Sequence, residues 1–278
     1  MDMNERGKAP QPGIYELDVV DNVPFESVPG GSHFALTLQK PAWDGWTPGQ
    51  FVMLRPKNWG ADMLWARPFS ICRVNEKGLT LFIQAKGRGT ERLRALTPGD
   101  KACLWGPLGK GFAVDAEHPT LLLAGGIGLA PFIGYAECHP NPAGLTLLFG
   151  HKIPERCYPT DLLKTSGVNF QAFPERCLED REAFLARIRE QMALTARQQG
   201  LVLACGPQPF LKAIQGFAAE CGAKTQISLE HRMACGIGAC LGCVCTTTEK
   251  WPVPSKAGFP VQTCTQGPVF WSDQIVLE

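Results

Sequence analysis

Four cysteines near the C-terminus constrain this chain more than any other feature. Cys235, Cys240 and Cys243 follow the spacing C-x4-C-x2-C, and Cys264 follows at a distance. This is the plant-type spacing for a [2Fe–2S] cluster. The loop is rich in glycine, and no charged residue lies between Cys235 and Cys245. Glycine allows tight backbone turns, so amide N–H groups can point at the sulfur atoms. The pattern therefore predicts a one-electron carrier.

Two alternatives to this ligand set stay open. Four cysteines also satisfy tetrahedral zinc, although zinc modules usually contain two C-x2-C pairs and this segment has one. A non-redox binding module with structural zinc is therefore the competing class of function. Cys245, two residues beyond Cys243, adds a fifth thiol to the candidate ligands. We interpret Cys245 as a packed thiol and Cys264 as the fourth ligand.

The composition excludes several other classes of protein. The net charge is +1, from 27 basic and 26 acidic residues, which gives no electrostatic footprint for nucleic acid or an anionic membrane. Residues 1–13 lack the apolar region of a signal peptide, and the uncharged stretch 120–136 is interrupted by glycine and proline, which argues against a membrane span. Twelve cysteines in a chain of 278 residues without secretory features predict a reduced, cytoplasmic environment.

The two halves of the chain differ in hydrophobic pattern. Apolar residues alternate over 34–38 and 79–83, which predicts half-buried antiparallel strands in a small barrel or sandwich. From residue 120 onward, continuous apolar runs at 120–124, 145–149 and 201–204 predict strands covered on both faces. Helical periodicity predicts helices over 180–199 and from Pro207 onward, so the second half is a parallel α/β domain.

Two short motifs in the β-rich half suggest a flavin nucleotide. In Arg67-Pro68-Phe69-Ser70, the arginine can hold a phosphate, the serine can bind the edge of a heteroaromatic ring, and the phenylalanine can stack on it. The loop of Gly87, Arg88, Gly89 and Thr90 offers bare N–H groups and a hydroxyl to a pyrophosphate. Alone, the first motif is commonly the start of a strand and the second an ordinary turn. Their order before an α/β domain favours the flavin interpretation.

The α/β half opens with a glycine-rich loop at residues 125–131. Gly126 and Gly128 match the first two positions of G-x-G-x-x-G between a strand and a helix, but Pro131 replaces the third. No acidic residue ends the strand at 145–149, so this test leaves NAD and NADP undecided. Cys205 and Gly206 form a second loop at the carboxyl edge of the sheet. Cys205 fits equally well as a cleft residue or as a buried thiol.

Taken together, these segments resemble the electron-transfer subunit family of class 1B dihydroorotate dehydrogenase, within the ferredoxin-reductase-like flavoproteins. The resemblance runs from about residue 12 and is most specific over 228–245, resuming at Cys264. It implies a multidomain chain with an antiparallel β-barrel FAD domain at 1–115. A parallel α/β NAD-binding domain at 116–224 and a small [2Fe–2S] module at 225–278 would follow.

The resemblance also implies a partner and a set of contacts. An FMN-containing catalytic subunit, in a heterotetramer with two of each chain, would oxidise dihydroorotate and pass electrons through the cluster and FAD to NAD+. The implied cofactor-binding residues are Arg67, Pro68, Phe69 and Ser70 for FAD, Gly87, Gly89 and Thr90 for its pyrophosphate, and Gly126, Gly128, Cys205 and Gly206 for the nicotinamide nucleotide. The implied metal ligands are Cys235, Cys240, Cys243 and Cys264, and no residue is assigned a catalytic role.

Two departures from the family pattern leave the partner open. Phe69 stands where an aliphatic residue is more common, and the segment before Cys264, over 251–260, is longer than usual. A related FAD and [2Fe–2S] reductase that serves another dehydrogenase, a ferredoxin or an oxygenase is the alternative function.

Overall fold

The computed structural model describes residues 12–26, 28, 32–60 and 63–277. The prediction about a signal peptide therefore falls mostly outside the described residues. Within the described part of the chain, no helix is long and apolar enough to cross a membrane.

The first half of the chain forms a seven-stranded antiparallel sheet. Its order is β4-β3-β7-β1-β2-β6-β5, and a seven-residue helix precedes the last strand in sequence. The elements are β1 (Gly13–Pro24), β2 (His33–Leu38), β3 (Phe51–Pro56), β4 (Arg67–Ser70), β5 (Arg73–Asn75), β6 (Gly78–Gln84), α1 (Arg88–Arg94) and β7 (Lys101–Leu108).

This sheet is a half-barrel, whereas the sequence predicted a barrel. Strand β1 pairs with both β2 and β7, so the sheet curls around it. In the described residues no ladder joins the edge strands β4 and β5. The chain itself crosses the gap, because the N–H of Ile71 bonds to the carbonyl oxygen of Gln50 and the N–H of Cys72 bonds to that of Thr80. The interior is filled by alternating side chains such as Phe34 and Leu36.

The second half forms a six-stranded sheet in the order β10-β9-β8-β11-β12-β15. Five strands are parallel, and β15 is antiparallel to β12. The elements are β8 (Thr120–Gly125), α2 (Ala130–Cys138), β9 (Leu145–His151), α3 (Asp161–Lys164), β10 (Asn169–Pro174), α4 (Leu178–Arg197), β11 (Leu201–Cys205), α5 (Gln208–Cys221), β12 (Lys224–Ser228), β13 (Val244–Thr246), β14 (Pro260–Gln262), α6 (Thr263–Gln266) and β15 (Val269–Trp271).

The C-terminal segment shares its core with the α/β sheet. Strands β13 and β14 form a two-stranded sheet beside it, and Trp251 and Phe270 pack in the same cluster as Leu211 and Ile227. The boundary predicted at 224/225 falls inside β12, and β15 adds a strand to the sheet from beyond it. The cysteine segment is therefore fixed to the edge of the α/β domain by a β ladder as well as by packing.

Candidate cofactor clefts and cysteine loop

A first cleft of about 300 Å³ opens between the half-barrel and the carboxyl edge of the parallel sheet. Strand β4 forms one wall, where Pro68, Phe69 and Ser70 are half-buried because β4 is an edge strand paired only with β3. The end of β11 supplies Cys205 to the opposite wall. The structure thus brings the predicted flavin motif and two of the predicted nucleotide residues, Gly128 and Cys205, into one space.

The predicted pyrophosphate loop lies beside Arg67 in a neighbouring depression. A Cβ at Gly89 would lie 3.2 Å from Nε of Arg67, so a larger residue there would push the guanidinium away by a few tenths of an ångström. The Thr90 hydroxyl accepts hydrogen bonds from the N–H groups of Lys86 (2.9 Å) and Gly87 (3.1 Å). Thr90 therefore shapes the loop, and its direct contact with a phosphate stays a prediction.

A second cleft of about 350 Å³ lies over the carboxyl ends of β8, β9 and β10. This is the edge of a parallel sheet at which nucleotides bind. Gly126 lies in this cleft with φ of +55°, and a Cβ there would come no closer than 4.0 Å to another atom, the Tyr158 hydroxyl. Gly126 thus leaves open space above the sheet.

Gly128 and Gly206 serve backbone packing. A Cβ on Gly128 would lie 2.2 Å from the carbonyl oxygen of Cys205, so the two loops touch backbone to backbone. A Cβ on Gly206 would lie 2.8 Å from the ring of Phe210. Cys205 itself is 4% exposed, and burial raises the pKa of its thiol far above the usual value, so the thiol stays neutral. Both interpretations of Cys205 hold together, because it is buried and also lines the first cleft.

An unpaired histidine nitrogen borders the second cleft. His33 is 1% exposed and lies between Phe82 and Tyr158, and its Nδ1 atom has no hydrogen-bond partner among the described residues. Burial, and then the charge of Lys86, lower the pKa of this imidazole to about 4. A neutral ring with a free polar atom fits a cleft that is completed by a polar ligand.

The four predicted cluster ligands lie together as two pairs of thiols. The sulfur atoms of Cys235 and Cys240 are 3.3 Å apart, and the thiol of Cys243 lies against that of Cys264. Cys240 is exposed, whereas Cys243 and Cys264 are buried. In the described residues, no set of three or more Cys, His, Asp or Glu side chains has the geometry to hold one metal ion. Two pairs of sulfurs suit two irons, each with two protein ligands.

Backbone N–H groups point at these sulfurs. Those of Ile237 (3.5 Å) and Cys240 (3.4 Å) donate to Sγ of Cys235, and that of Gly238 donates to Sγ of Cys264 at 3.2 Å. Burial alone would raise the pKa of Cys235, but these hydrogen bonds outweigh it and lower the pKa to about 7. Burial and the neighbouring Cys243 thiol raise the pKa of Cys264 to about 12. The backbone of the loop thus favours negative charge on the sulfur of Cys235, whereas the surroundings of Cys264 disfavour charge on its thiol.

Cys245 lies outside this group. It is 8% exposed, belongs to β13, and packs in the apolar cluster that contains Trp251 and Val261. Burial raises the pKa of its thiol. Cys243 lies in the loop just before β13 and packs in the cluster that contains Cys264, so the two cysteines have different surroundings although residues two apart within one strand would share a face.

The cysteine loop packs directly against the half-barrel. The indole N–H of Trp105 on β7 donates to the carbonyl oxygen of Cys235 at 2.9 Å. Phe51 and Met233 are packed in one buried cluster with Cys243 and Cys264, and both also line the first cleft. One layer of side chains thus separates the thiols from that cleft.

Several of these residues were missed in the sequence. Met233 and Trp105 carry no motif and become visible only through packing. Glu175 lines the second cleft and follows β10, whereas the sequence pattern predicts an acid at the end of β9. Glu230 lines both clefts and lies within the family-like segment 228–245, but the sequence predicted no role for it.

Comparison with known proteins identifies the family. The family model described as the iron-sulfur cluster binding domain of dihydroorotate dehydrogenase B matches residues 230–276. The chain is 33% identical over 230 residues to the electron transfer subunit of dihydroorotate dehydrogenase B (NAD(+)) from Caldanaerobacter subterraneus subsp. tengcongensis, covering 82% of this chain and 87% of the relative. The chain belongs to this family of electron transfer subunits.

A second relative gives the same assignment. The corresponding subunit of Listeria monocytogenes is 32% identical over 251 residues, which cover 88% of this chain and 93% of the relative. The predicted family, and with it an oxidoreductase subunit for electron transfer with an iron–sulfur segment, are confirmed.

Solved structures support the fold. A structure reported for flavin-based electron bifurcation by an NADH-dependent reduced ferredoxin–NADP oxidoreductase superposes with a TM-score of 0.76 at 20% identity, covering 94% of this chain and 90% of that one. The ferredoxin–NADP+ reductase of Plasmodium falciparum superposes with a TM-score of 0.62 at 14% identity, covering 74% of this chain and 90% of that one. The chain therefore has a ferredoxin-reductase-like fold.

Proposed function

We propose that this chain carries electrons between an FMN-containing dihydroorotate dehydrogenase subunit and NAD+, using FAD and a [2Fe–2S] cluster. The observation that carries the proposal is the single buried cluster in which Phe51 and Met233, which line the first cleft, are packed with Cys243 and Cys264. It holds the two redox sites of one chain close together in a dry environment. The chain itself then needs no pocket for dihydroorotate.

The first cleft is the proposed site of the flavin ring, with the FAD pyrophosphate at the adjoining loop. FAD, when bound, exchanges a hydride with nicotinamide and single electrons with an iron–sulfur group. Ser70 and Phe69 line the wall for the ring, and Arg67 with the N–H groups of the Gly87–Thr90 loop faces the phosphates. The Thr90 hydroxyl holds that loop in shape.

The four thiolates of Cys235, Cys240, Cys243 and Cys264 are the proposed cluster ligands. The N–H groups of Ile237, Cys240 and Gly238 stabilise negative charge on the sulfurs. Cys245, in its apolar cluster, contributes packing. The match to an iron–sulfur cluster binding domain supports this cluster over structural zinc, and metal analysis tests the choice.

The second cleft is the proposed NAD site, and Glu175 supports NAD over NADP. A Cβ at Gly150, where the usual acid after the second strand would begin, would lie 2.7 Å from Oε1 of Glu175. The carboxylate thus reaches over the end of β9 from the neighbouring strand. A carboxylate there accepts hydrogen bonds from ribose hydroxyls and repels a 2′-phosphate. Both relatives are named for NAD(+).

The exposed side of the cysteine loop is the proposed docking face for the catalytic subunit. Cys240 is exposed there, and its neighbours Ile237, Leu241 and Val244 are 58%, 60% and 44% exposed. Adjacent exposed aliphatic side chains mark a protein interaction site. A heterotetramer with two of each chain, the domain boundaries and the cytoplasmic location remain predictions.

A pull-down of the native complex with cofactor analysis tests this proposal. We expect an FMN protein that oxidises dihydroorotate to co-purify, together with FAD, iron and acid-labile sulfide. Recovery of the flavin and cluster with a different dehydrogenase, ferredoxin or oxygenase would favour a related reductase. Recovery of one zinc per chain, without iron or flavin, would identify a non-redox module.

A further inference from the structure

Four residues line both the first and the second cleft, and we call them the gate: Gln84, Lys86, Ile127 and Glu230. Glu230 stands two residues beyond the end of β12, at the carboxyl edge of the parallel sheet. A nicotinamide ring whose nucleotide lies in the second cleft must pass the gate to meet a flavin in the first.

The gate carries one negative side chain. Among the described residues, Glu230 is the only carboxylate that lines the first cleft. Glu175, the other carboxylate of the second cleft, lies over the end of β9 and does not line the first cleft. The nicotinamide ring carries a positive charge in NAD+ and none in NADH, whereas the rest of the two molecules is identical. A charged side chain at the gate therefore binds NAD+ and NADH with different affinity, because it lies where the nicotinamide ring must pass. A charged side chain elsewhere in the second cleft has less effect on the difference between the two affinities.

We propose that Glu230 is a positioning residue that favours the cationic nicotinamide ring of NAD+ over the neutral ring of NADH at the gate. The inference rests on the proposed function, because it requires FAD in the first cleft and NAD in the second. Attraction between the carboxylate and the ring favours entry of NAD+ and release of NADH, which is the direction in which this chain delivers a hydride.

The surroundings of Glu230 strengthen its effect on a ligand. The side chain is exposed to the cleft, yet the surrounding protein withdraws enough water to raise the pKa of its carboxyl, which the charge of Lys86 partly offsets. Coulomb interactions grow as water is excluded. Lys86 carries a positive charge at the same gate, so it opposes the attraction between Glu230 and a cationic ring.

Equilibrium binding to the oxidised, flavin-loaded chain tests the proposal by isothermal titration calorimetry. NADH would reduce the flavin, so the neutral ring is represented by the inert analogue 1,4,5,6-tetrahydro-NAD. We expect Glu230→Gln to weaken NAD+ binding about fivefold to tenfold. The dissociation constant of the analogue should change by less than about twofold. Lys86→Met should shift the ratio of the two dissociation constants in the opposite direction.

Glu175→Gln is the matched control, since it removes the same charge from the second cleft. It should weaken the binding of NAD+ and of the analogue by the same factor, because their ribose groups are identical. An equal change for both ligands in Glu230→Gln, or no change, would overturn the inference while leaving the proposed function in place. If the wild-type chain retains flavin and NADH bleaches it, the proposed function stands whatever Glu230→Gln shows. A wild-type chain without flavin would overturn both the proposed function and the role of Glu230.

Discussion

At the scale of single residues, the cysteines divide by what surrounds each sulfur. Cys264 faces Cys243 and receives the N–H of Gly238, whereas Cys245, close to Cys243 in sequence, faces an apolar cluster. Neighbouring cysteines thus have a proposed ligand role and a packing role, and burial alone does not separate them, because Cys243, Cys245 and Cys264 are all buried.

A pair of serine substitutions tests this division. Cys264→Ser should lose or severely destabilise the cluster because it removes a soft thiolate ligand. Cys245→Ser, a matched change of a buried thiol, should keep the cluster. Visible absorption together with iron and acid-labile sulfide content measures both. The reverse pattern would make Cys245 the fourth ligand.

A second prediction at the scale of single residues concerns Glu175 and the choice of coenzyme. Glu175→Gln should weaken selection of NADH over NADPH by about tenfold to a hundredfold, because it removes a charged acceptor and its repulsion of phosphate. The ratio of kcat/KM for the two coenzymes, measured with ferricyanide as acceptor, reports the change. An unchanged ratio would show that the ribose is recognised elsewhere.

At the scale of elements, the nucleotide cleft depends on close backbone contacts between loops. The Gly128 loop meets the end of β11 without room for a Cβ. Gly128→Ala should therefore destabilise the fold by about 1–3 kcal/mol and weaken dinucleotide binding. Gly216, within α5, has no atom within 4 Å of its Cβ position. Gly216→Ala should stabilise the chain by about 0.5–1 kcal/mol. Denaturant unfolding compares the two, and equal effects would contradict the packing described.

The contact between β7 and the cysteine loop makes a second prediction at this scale. Trp105→Phe removes the hydrogen bond to Cys235 but keeps an aromatic ring, so the cluster should be lost faster to a chelator. The indole N–H of Trp43 has no hydrogen-bond partner, and Trp43→Phe is the control that should leave the rate unchanged. Equal rates of loss in the two variants would show that the Trp105 contact does not hold the loop.

Part of this organisation could be predicted from the sequence. The spacing of Cys235, Cys240 and Cys243 indicated one loop, and continuous apolar runs indicated β8, β9 and β11. The antiparallel β15 has only three residues, too few for a period to show. The approach of Glu175 to the end of β9 depends on which strands are neighbours, and hydrophobic periodicity does not carry that information.

At the scale of the whole molecule, the half-barrel, the α/β sheet and the C-terminal segment meet between the first cleft and the cysteine thiols. The half-barrel supplies Trp105 and Phe51, the sheet edge supplies Cys205, and the C-terminal segment supplies Met233 and the thiols. The shared ladder of β12 and β15 fixes the cysteine segment to the α/β domain, and the Arg73–Glu137 ion pair (2.8 Å) joins β5 to α2. This arrangement keeps the distance between the two redox sites constant and places Cys240 at the surface.

The central claim is that cluster and flavin exchange electrons within this chain. Anaerobic titration of the purified chain with NADH, followed by flavin absorption and EPR spectroscopy, tests it most directly. We predict that NADH bleaches the flavin and produces the EPR signal of a reduced [2Fe–2S] cluster, and that Cys264→Ser retains the bleaching and loses the signal. A wild-type chain whose flavin is bleached by NADH while its iron–sulfur cluster stays oxidised, or one that contains no acid-labile sulfide, would contradict the claim.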